Sequence, residues 1–211
     1  NYKILDSVIL LYKKKNAEQS SMRITPLKPK KMQLISLGGS ASAINPNYAN
    51  YLVELGLNAN VSNPSTGWTS SQWASQYMDS LIVDHNVDVL IWEFAINDWY
   101  LNSLRNKVLP KRWHQYVFDL FIQRALHLFG TKLKIVCLFL WQVGARKCWP
   151  NCLDDKKYWN DLQPVVRYYQ VRGIDIVGLD YNAAVKNAGW SKTKVFMDFH
   201  HPSIDSHRYI A

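Results

Sequence analysis

Three cysteines among 211 residues are too few for a disulfide framework, and no apolar run approaches the roughly 18–20 residues a helix needs to cross a bilayer. The longest apolar stretches, 8–12 and 135–141, have the length of strands. Zinc-finger spacing, an RNP-type aromatic strand, a glycine-rich KH loop, an internal repeat and a recognisable signal peptide are all missing. A membrane-spanning helix is thereby excluded, and nothing supports a standard nucleic-acid module. Acidic residues are also in deficit, with 16 Asp and Glu against 25 Lys and Arg for a net charge of +9. Residues 1–31 hold eight basic residues against Asp6 and Glu18, a net of +6 that leaves only +3 for the rest. A block of like charge is ordinarily a solvated tail; the alternative is an arm that docks on a polyanion or a larger assembly.

What is present suffices for a substantial core, because 48% of residues are hydrophobic and only 19% charged. Pro26 and Pro29 set off residues 1–31 as a basic arm from one domain over 32–211. The chain opens on Asn1 and closes ten residues after His201, so further sequence is expected on both sides. Cys137 lies in an apolar run and reads as a core residue. Cys148 and Cys152 flank three residues of loop-like sequence; a local disulfide there implies an oxidising, secretory or extracellular compartment, and without it the compartment is open. Asn60-Val-Ser62 is a formal glycosylation sequon.

From residue 32 the patterns alternate. Short apolar runs predict strands over 32–37, 87–92, 134–141 and 174–178, and helical spacing covers 45–56, 70–84 and 113–129. Pro164 suits a first helical turn, which predicts a further helix over 164–173, while 58–70 is a loop by composition. Such alternation points to an α/β fold with a parallel sheet covered on both faces, whose function resides at the carboxyl ends of its strands. Residues 38–40, 95–98 and 198–202 fall at such places.

Each of these segments has a bland and a chemical reading. Ser40 follows a strand and a glycine pair, so it either caps the next helix or serves as a nucleophile beside unpaired helix N–H groups. Asp198 precedes His201 by three residues and Pro202 follows, an arrangement in which a carboxylate can accept the imidazole N–H and leave the other nitrogen to take a proton. The alternatives are a surface turn, or a metal site drawn from His200, His201 and His207. Asn97 sits just past a strand end, as a helix cap or as an amide donor to an oxyanion. Gly67 is a turn glycine or a second backbone donor.

Together these segments resemble the SGNH (GDSL-type) hydrolase family across residues 32–211. Gly38-Gly-Ser40 matches its first block, Gly67 its second, Ala95-Ile-Asn97-Asp98 its third, and Asp198-x-x-His201-Pro202 its fifth. Gly39 stands where the family usually has aspartate and Ala95 where it usually has glycine; neither position supplies the nucleophile, the base or the asparagine donor. The resemblance implies a three-layer α/β/α, flavodoxin-like parallel sheet and ester hydrolysis without metal or organic cofactor. It further implies a triad of Ser40, His201 and Asp198, with Ser40, Gly67 and Asn97 forming the oxyanion hole.

Substrate choice is less directly encoded. Trp68, Trp73, Trp92, Trp99, Trp141 and Trp149 lie near the motifs in sequence; most are expected in the core, and the remainder suit sugar rings or acyl chains. The polar stretch 58–71 leans towards a carbohydrate, which makes a small acyl group, acetyl, on a glycan the expected substrate. Two alternatives stand beside it: an O-acyltransferase using the same triad, and a non-catalytic scaffold or binding module that keeps the fold.

Overall fold

A computed structural model describes residues 30–44, 46–98, 112–140, 157–198 and 201–211. The basic arm up to residue 29, the Cys148 and Cys152 pair, Trp99, Trp141, Trp149 and His200 lie outside the described residues.

Five strands, β1 (Met32–Gly38), β2 (Ala59–Ser62), β3 (Val89–Glu93), β4 (Lys134–Phe139) and β5 (Ile176–Asp180), form one sheet in the order β2-β1-β3-β4-β5. Every neighbouring pair is parallel, and the order is the flavodoxin-like one. The continuous apolar runs of β1, β3 and β4 are explained by cover on both faces. Alternate residues serve opposite layers. Leu34, Ile91 and Val136 pack with α2 (Tyr48–Glu54), α6 (Tyr181–Asn187), α7 (Lys192–Val195) and α8 (Ile204–Ile210). Leu37, Trp92 and Cys137 pack instead with α3 (Ser71–Leu81), α4 (Trp113–Phe129) and α5 (Lys157–Gln170). The fold is the expected three-layer α/β/α arrangement.

Two sequence expectations need correction. Residues 59–62 form an edge strand rather than loop, paired with Met32–Ile35. An edge strand covered on one face needs only alternate apolar residues, and here Ala59 and Val61 face the core while Asn60 and Ser62 are exposed. Pro164 lies inside α5, not at its first turn. Proline removes a helical hydrogen bond at that point, and the Gln115 side chain of α4 donates to the Asp161 carbonyl one residue beyond the affected turn (2.5 Å).

The topology also fixes where a ligand can approach. The helix after β1 joins one layer and the helix after β3 joins the other, although the two strands are neighbours. Their carboxyl ends therefore flank a crevice at the switch point of the sheet.

Candidate active site

At that crevice β1 ends in two glycines and turns directly into α1 (Ser40–Ala43). A Cβ at Gly38 would overlap the Ser42 side chain and sit 2.7 Å from the Glu93 carbonyl oxygen, so only glycine lets the turn lie this close to β3. The Gly39 N–H donates to that same carbonyl (3.0 Å). Gly39 occupies the cap position of α1, and no side chain caps the helix. Ser40 is thus the first helical residue, half-buried, and its hydroxyl is not used as a cap.

Three further residues close around it. A Cβ on Gly39 would overlap the Asn97 amide, which occupies the space an aspartate at that position would need. Gly67 lies beside Ser40, where an added Cβ would be in ordinary contact with Ser40 Cβ at 3.8 Å. The loop bearing Gly67 is pinned from several sides. Asn63 Nδ2 donates to the Ser42 carbonyl (2.8 Å), Ser65 Oγ to the Ser36 carbonyl (3.2 Å), and Thr69 Oγ1 to the Thr66 carbonyl (2.6 Å). The polar side chains of this loop thus bond carbonyls of β1, of α1 and of the loop itself.

Asn97 lies in a helical segment, 95–98, directly after β3. It does not cap that segment: its Nδ2 donates to the Thr69 carbonyl (2.5 Å), tying the loop to β3. Asp98 does cap a helix, but a different one. It accepts from the backbone N–H of Ser71 (2.8 Å) at the start of α3 and from Ser71 Oγ (2.5 Å). Trp92 Nε1 donates to the same hydroxyl (2.8 Å). Burial pushes the Asp98 carboxyl up to about 7, against the pull of the Ser71 bonds. Ser71→Ala strands two buried polar atoms and is expected to destabilise the fold by about 3 kcal/mol, read as a lower urea midpoint.

The histidine sits in a clamped turn. Phe196 and Pro202 form an isolated antiparallel bridge, Met197 N–H donates to the His201 carbonyl (3.0 Å), and Ser203 N–H donates to the Val195 carbonyl (2.9 Å). Within it, Asp198 holds His201 twice: Oδ1 accepts from the His201 backbone N–H (2.9 Å), and Oδ2 meets the ring Nδ1 at 2.6 Å. This fixes the ring with Nε2 directed away from the carboxylate. The following helix, α8, packs on α2. Its His207, 1% exposed, stacks on the Tyr48 ring (6.0 Å). Burial, with His201 nearby, pushes the His207 imidazole down to about 4.

Beneath α1 runs a polar network that the sequence reading missed. Ser42 Oγ donates to Glu93 Oε2 (2.9 Å) and bonds Tyr48 OH (2.7 Å), which bonds Ser36 Oγ (3.0 Å). Glu93 is 1% exposed. Its burial pushes the carboxyl up to about 8, with the Asp98 charge adding to the effect, so at neutral pH it is held mostly as the acid. A charged residue closing the apolar run Val89–Glu93, two positions before the 95–98 segment begins, was the available signal. The network links the helix bearing Ser40 to Tyr48, and Tyr48 in turn contacts the helix that follows His201.

The structure thus gathers Gly39, Ser40, Gly67 and Asn97 at one strand end, and pairs Asp198 with His201 in a turn anchored through α8 to the same layer. Among the described residues no three metal-ligating side chains come together. Of the tryptophans near the motifs in sequence, the three that are described differ sharply. Trp92 is wholly buried among Phe118, Phe139 and Phe94, Trp73 packs on the core and Tyr77, and Trp68 stands 81% exposed.

No known protein-family profile and no curated protein sequence matches this chain. Its structure does resemble solved ones. A variant of Axe2, an acetyl xylan esterase from Geobacillus stearothermophilus, superposes with a TM-score of 0.64 at 14% identity, covering 84% of this chain and 90% of that one. LAE5, an alpha/beta hydrolase from the metagenome of Lake Arreo, gives 0.65 at 11% identity, with 85% and 91% covered. A two-domain esterase active on acetylated mannans gives 0.59 at 13% identity; 85% of this chain covers 46% of it. At such identities the likeness establishes architecture: this chain has the α/β/α fold expected from its resemblance to the SGNH hydrolases.

Proposed function

We propose that the protein is a serine esterase that removes acetyl groups from carbohydrates. The observation that carries this reading is the double hold of Asp198 on His201, which presents an oriented imidazole from a turn whose following helix packs on α2, the helix next along the chain from the one that Ser40 begins. In the proposed reaction Ser40 Oγ attacks the acetyl carbonyl carbon while His201 Nε2 takes the hydroxyl proton. The oxyanion is held by the Ser40 and Gly67 N–H groups and by the Asn97 amide, whose second hydrogen remains after the bond to Thr69. His201 returns the proton to the departing sugar oxygen. Water, deprotonated by His201, then attacks the acetyl-Ser40 ester and acetate leaves. Asp198 stabilises the imidazolium in both halves.

The structural neighbours support this choice. Several are acetylxylan esterases, and the substitutions described as catalytic in one of them fall on a serine, a histidine and an aspartate, the aspartate three residues ahead of the histidine. The separation of Asp198 and His201 is the same. The test is labelling with a fluorophosphonate, which reacts only with an activated serine, alongside acetate release from acetylated xylo- and manno-oligosaccharides. Wild type is expected to label and to release acetate, and Ser40→Ala to do neither. Equal labelling of both proteins removes the assignment.

A further inference from the structure

Gly67 and Trp68 are the two central residues of the turn that Thr69 closes onto Thr66. The second central position has φ of +62°, the left-handed region that ordinarily takes glycine or asparagine. Here the order is reversed: glycine precedes, and the bulky indole takes the left-handed position. Conformational ease alone would place the glycine at 68. A Cβ at 67 would make only ordinary contact with Ser40 Cβ, at 3.8 Å, so neither position of the turn is assigned by steric need alone. At 68 the backbone reversal sends the indole outward to 81% exposure, while the next residue, Thr69, is buried and bonded to the Gly38 and Thr66 carbonyls. A strained backbone carrying an exposed aromatic, one residue from a proposed oxyanion donor, marks a ligand contact.

We infer that the Trp68 indole is a platform on which a sugar ring of the substrate stacks beside Ser40. The inference rests on the esterase reading and deepens it by naming a residue that selects a glycan over a simple acyl ester. An indole face matches the C–H face of a pyranose, whereas a long acyl chain needs apolar walls around it. The chain leading to Trp68 is polar: Ser62 and Thr66 are exposed, and Asn63 and Ser65 half-buried. The exposed Ser62 and Thr66 hydroxyls can bond ring hydroxyls, and among the described residues 62–69 Trp68 is the one large apolar side chain.

The test uses Trp68→Gly, which suits the left-handed backbone and so spares the fold, and Trp68→Phe, which keeps an aromatic face. Calorimetric titration of acetylated xylo-oligosaccharide into Ser40→Ala protein, which prevents turnover, is expected to show Kd rising about tenfold or more when Trp68→Gly is added, and by no more than about threefold for Trp68→Phe. In proteins with Ser40 intact, kcat/KM on the oligosaccharide divided by that on 4-nitrophenyl acetate is expected to fall at least tenfold for Trp68→Gly. Unchanged Kd and ratio, or failure of the Ser40→Ala protein to bind the oligosaccharide, overturns the inference. An equal loss on 4-nitrophenyl butyrate points to acyl-chain contact and overturns it too. Failure of the esterase reading shows separately, as absent fluorophosphonate labelling, and leaves the Kd comparison decisive for Trp68.

Discussion

His201→Ala is expected to lower kcat for acetyl-ester hydrolysis by about 10⁴-fold or more, with far smaller change in KM, because in the proposed mechanism it removes the group that accepts and returns the proton in both steps. Asp198→Asn is the more informative substitution. The two carboxylate oxygens have different partners, the backbone N–H of His201 at one and the ring Nδ1 at the other. An asparagine has only one oxygen, and the backbone donor claims it. The amide nitrogen then faces Nδ1 as a donor, so Nδ1 must accept and the ring proton moves to Nε2. In that tautomer the imidazole cannot take the Ser40 proton. Asp198→Asn is therefore expected to lose about 10³–10⁴-fold in kcat, and to be no more active than Asp198→Ala, in which water can accept from Nδ1. Steady-state rates on 4-nitrophenyl acetate and on acetylated xylo-oligosaccharide decide it. An Asn variant within tenfold of wild type would mean that Asp198 is only a structural clamp.

The order of activity among these variants depends on contacts three residues apart, and such local contacts are what the sequence displays. Asp198, His201 and Pro202 announce a turn because their partners are near neighbours along the chain. The helix Trp113–Phe129 is legible for the same reason, its apolar stripe and terminal Gly130 all lying within one segment. The parallel sheet follows from alternation of such segments. What the sequence hides is whatever is decided at long range. β2 is a strand only because the exposed edge of β1 is there to pair with Ala59–Ser62. Pro164 lies inside α5, a helix that packs along α4, so its local preference for a first turn is overridden by contacts distant in sequence. Asn97 and Asp98 look like a local cap, yet one ties down the Thr69 loop and the other caps the distant α3. Trp68 reads as one tryptophan among nine until its backbone angle and exposure distinguish it. Glu93 reads as the polar end of a strand until burial shows it enclosed on every side.

That enclosure makes folding stability fall as pH rises from 6.5 to 8. Glu93 titrates near 8 in the folded chain against 4.5 when solvated, and Asp98 near 7 against 3.8. Both raised values have burial as their main cause, so the folded state holds two protons that the unfolded state has already released. For an acid raised in this way, the stability present below the unfolded value is lost as pH climbs to the folded value. His207 works in the opposite sense: lowered to about 4 from 6.5, it destabilises the fold as pH drops from 6.5 towards 4 and is silent above that range. The window above 6.5 is thus governed by the two acids. At about 1.4 kcal/mol per proton per pH unit, Glu93 accounts for a loss of about 2 kcal/mol between pH 6.5 and 8, with less than 1 kcal/mol from Asp98 because it stops near 7. Glu93→Gln keeps an oxygen to accept from Ser42 Oγ and removes the titration. Urea denaturation at pH 6.5, 7.25 and 8 is expected to show wild type weakening across the series and Glu93→Gln holding nearly constant above pH 7, so that the two curves diverge with pH. Parallel curves would mean that the Glu93 carboxyl ionises in the fold as readily as in water, and that the Ser36, Tyr48 and Ser42 hydroxyls beneath α1 stabilise its charge rather than its acid form.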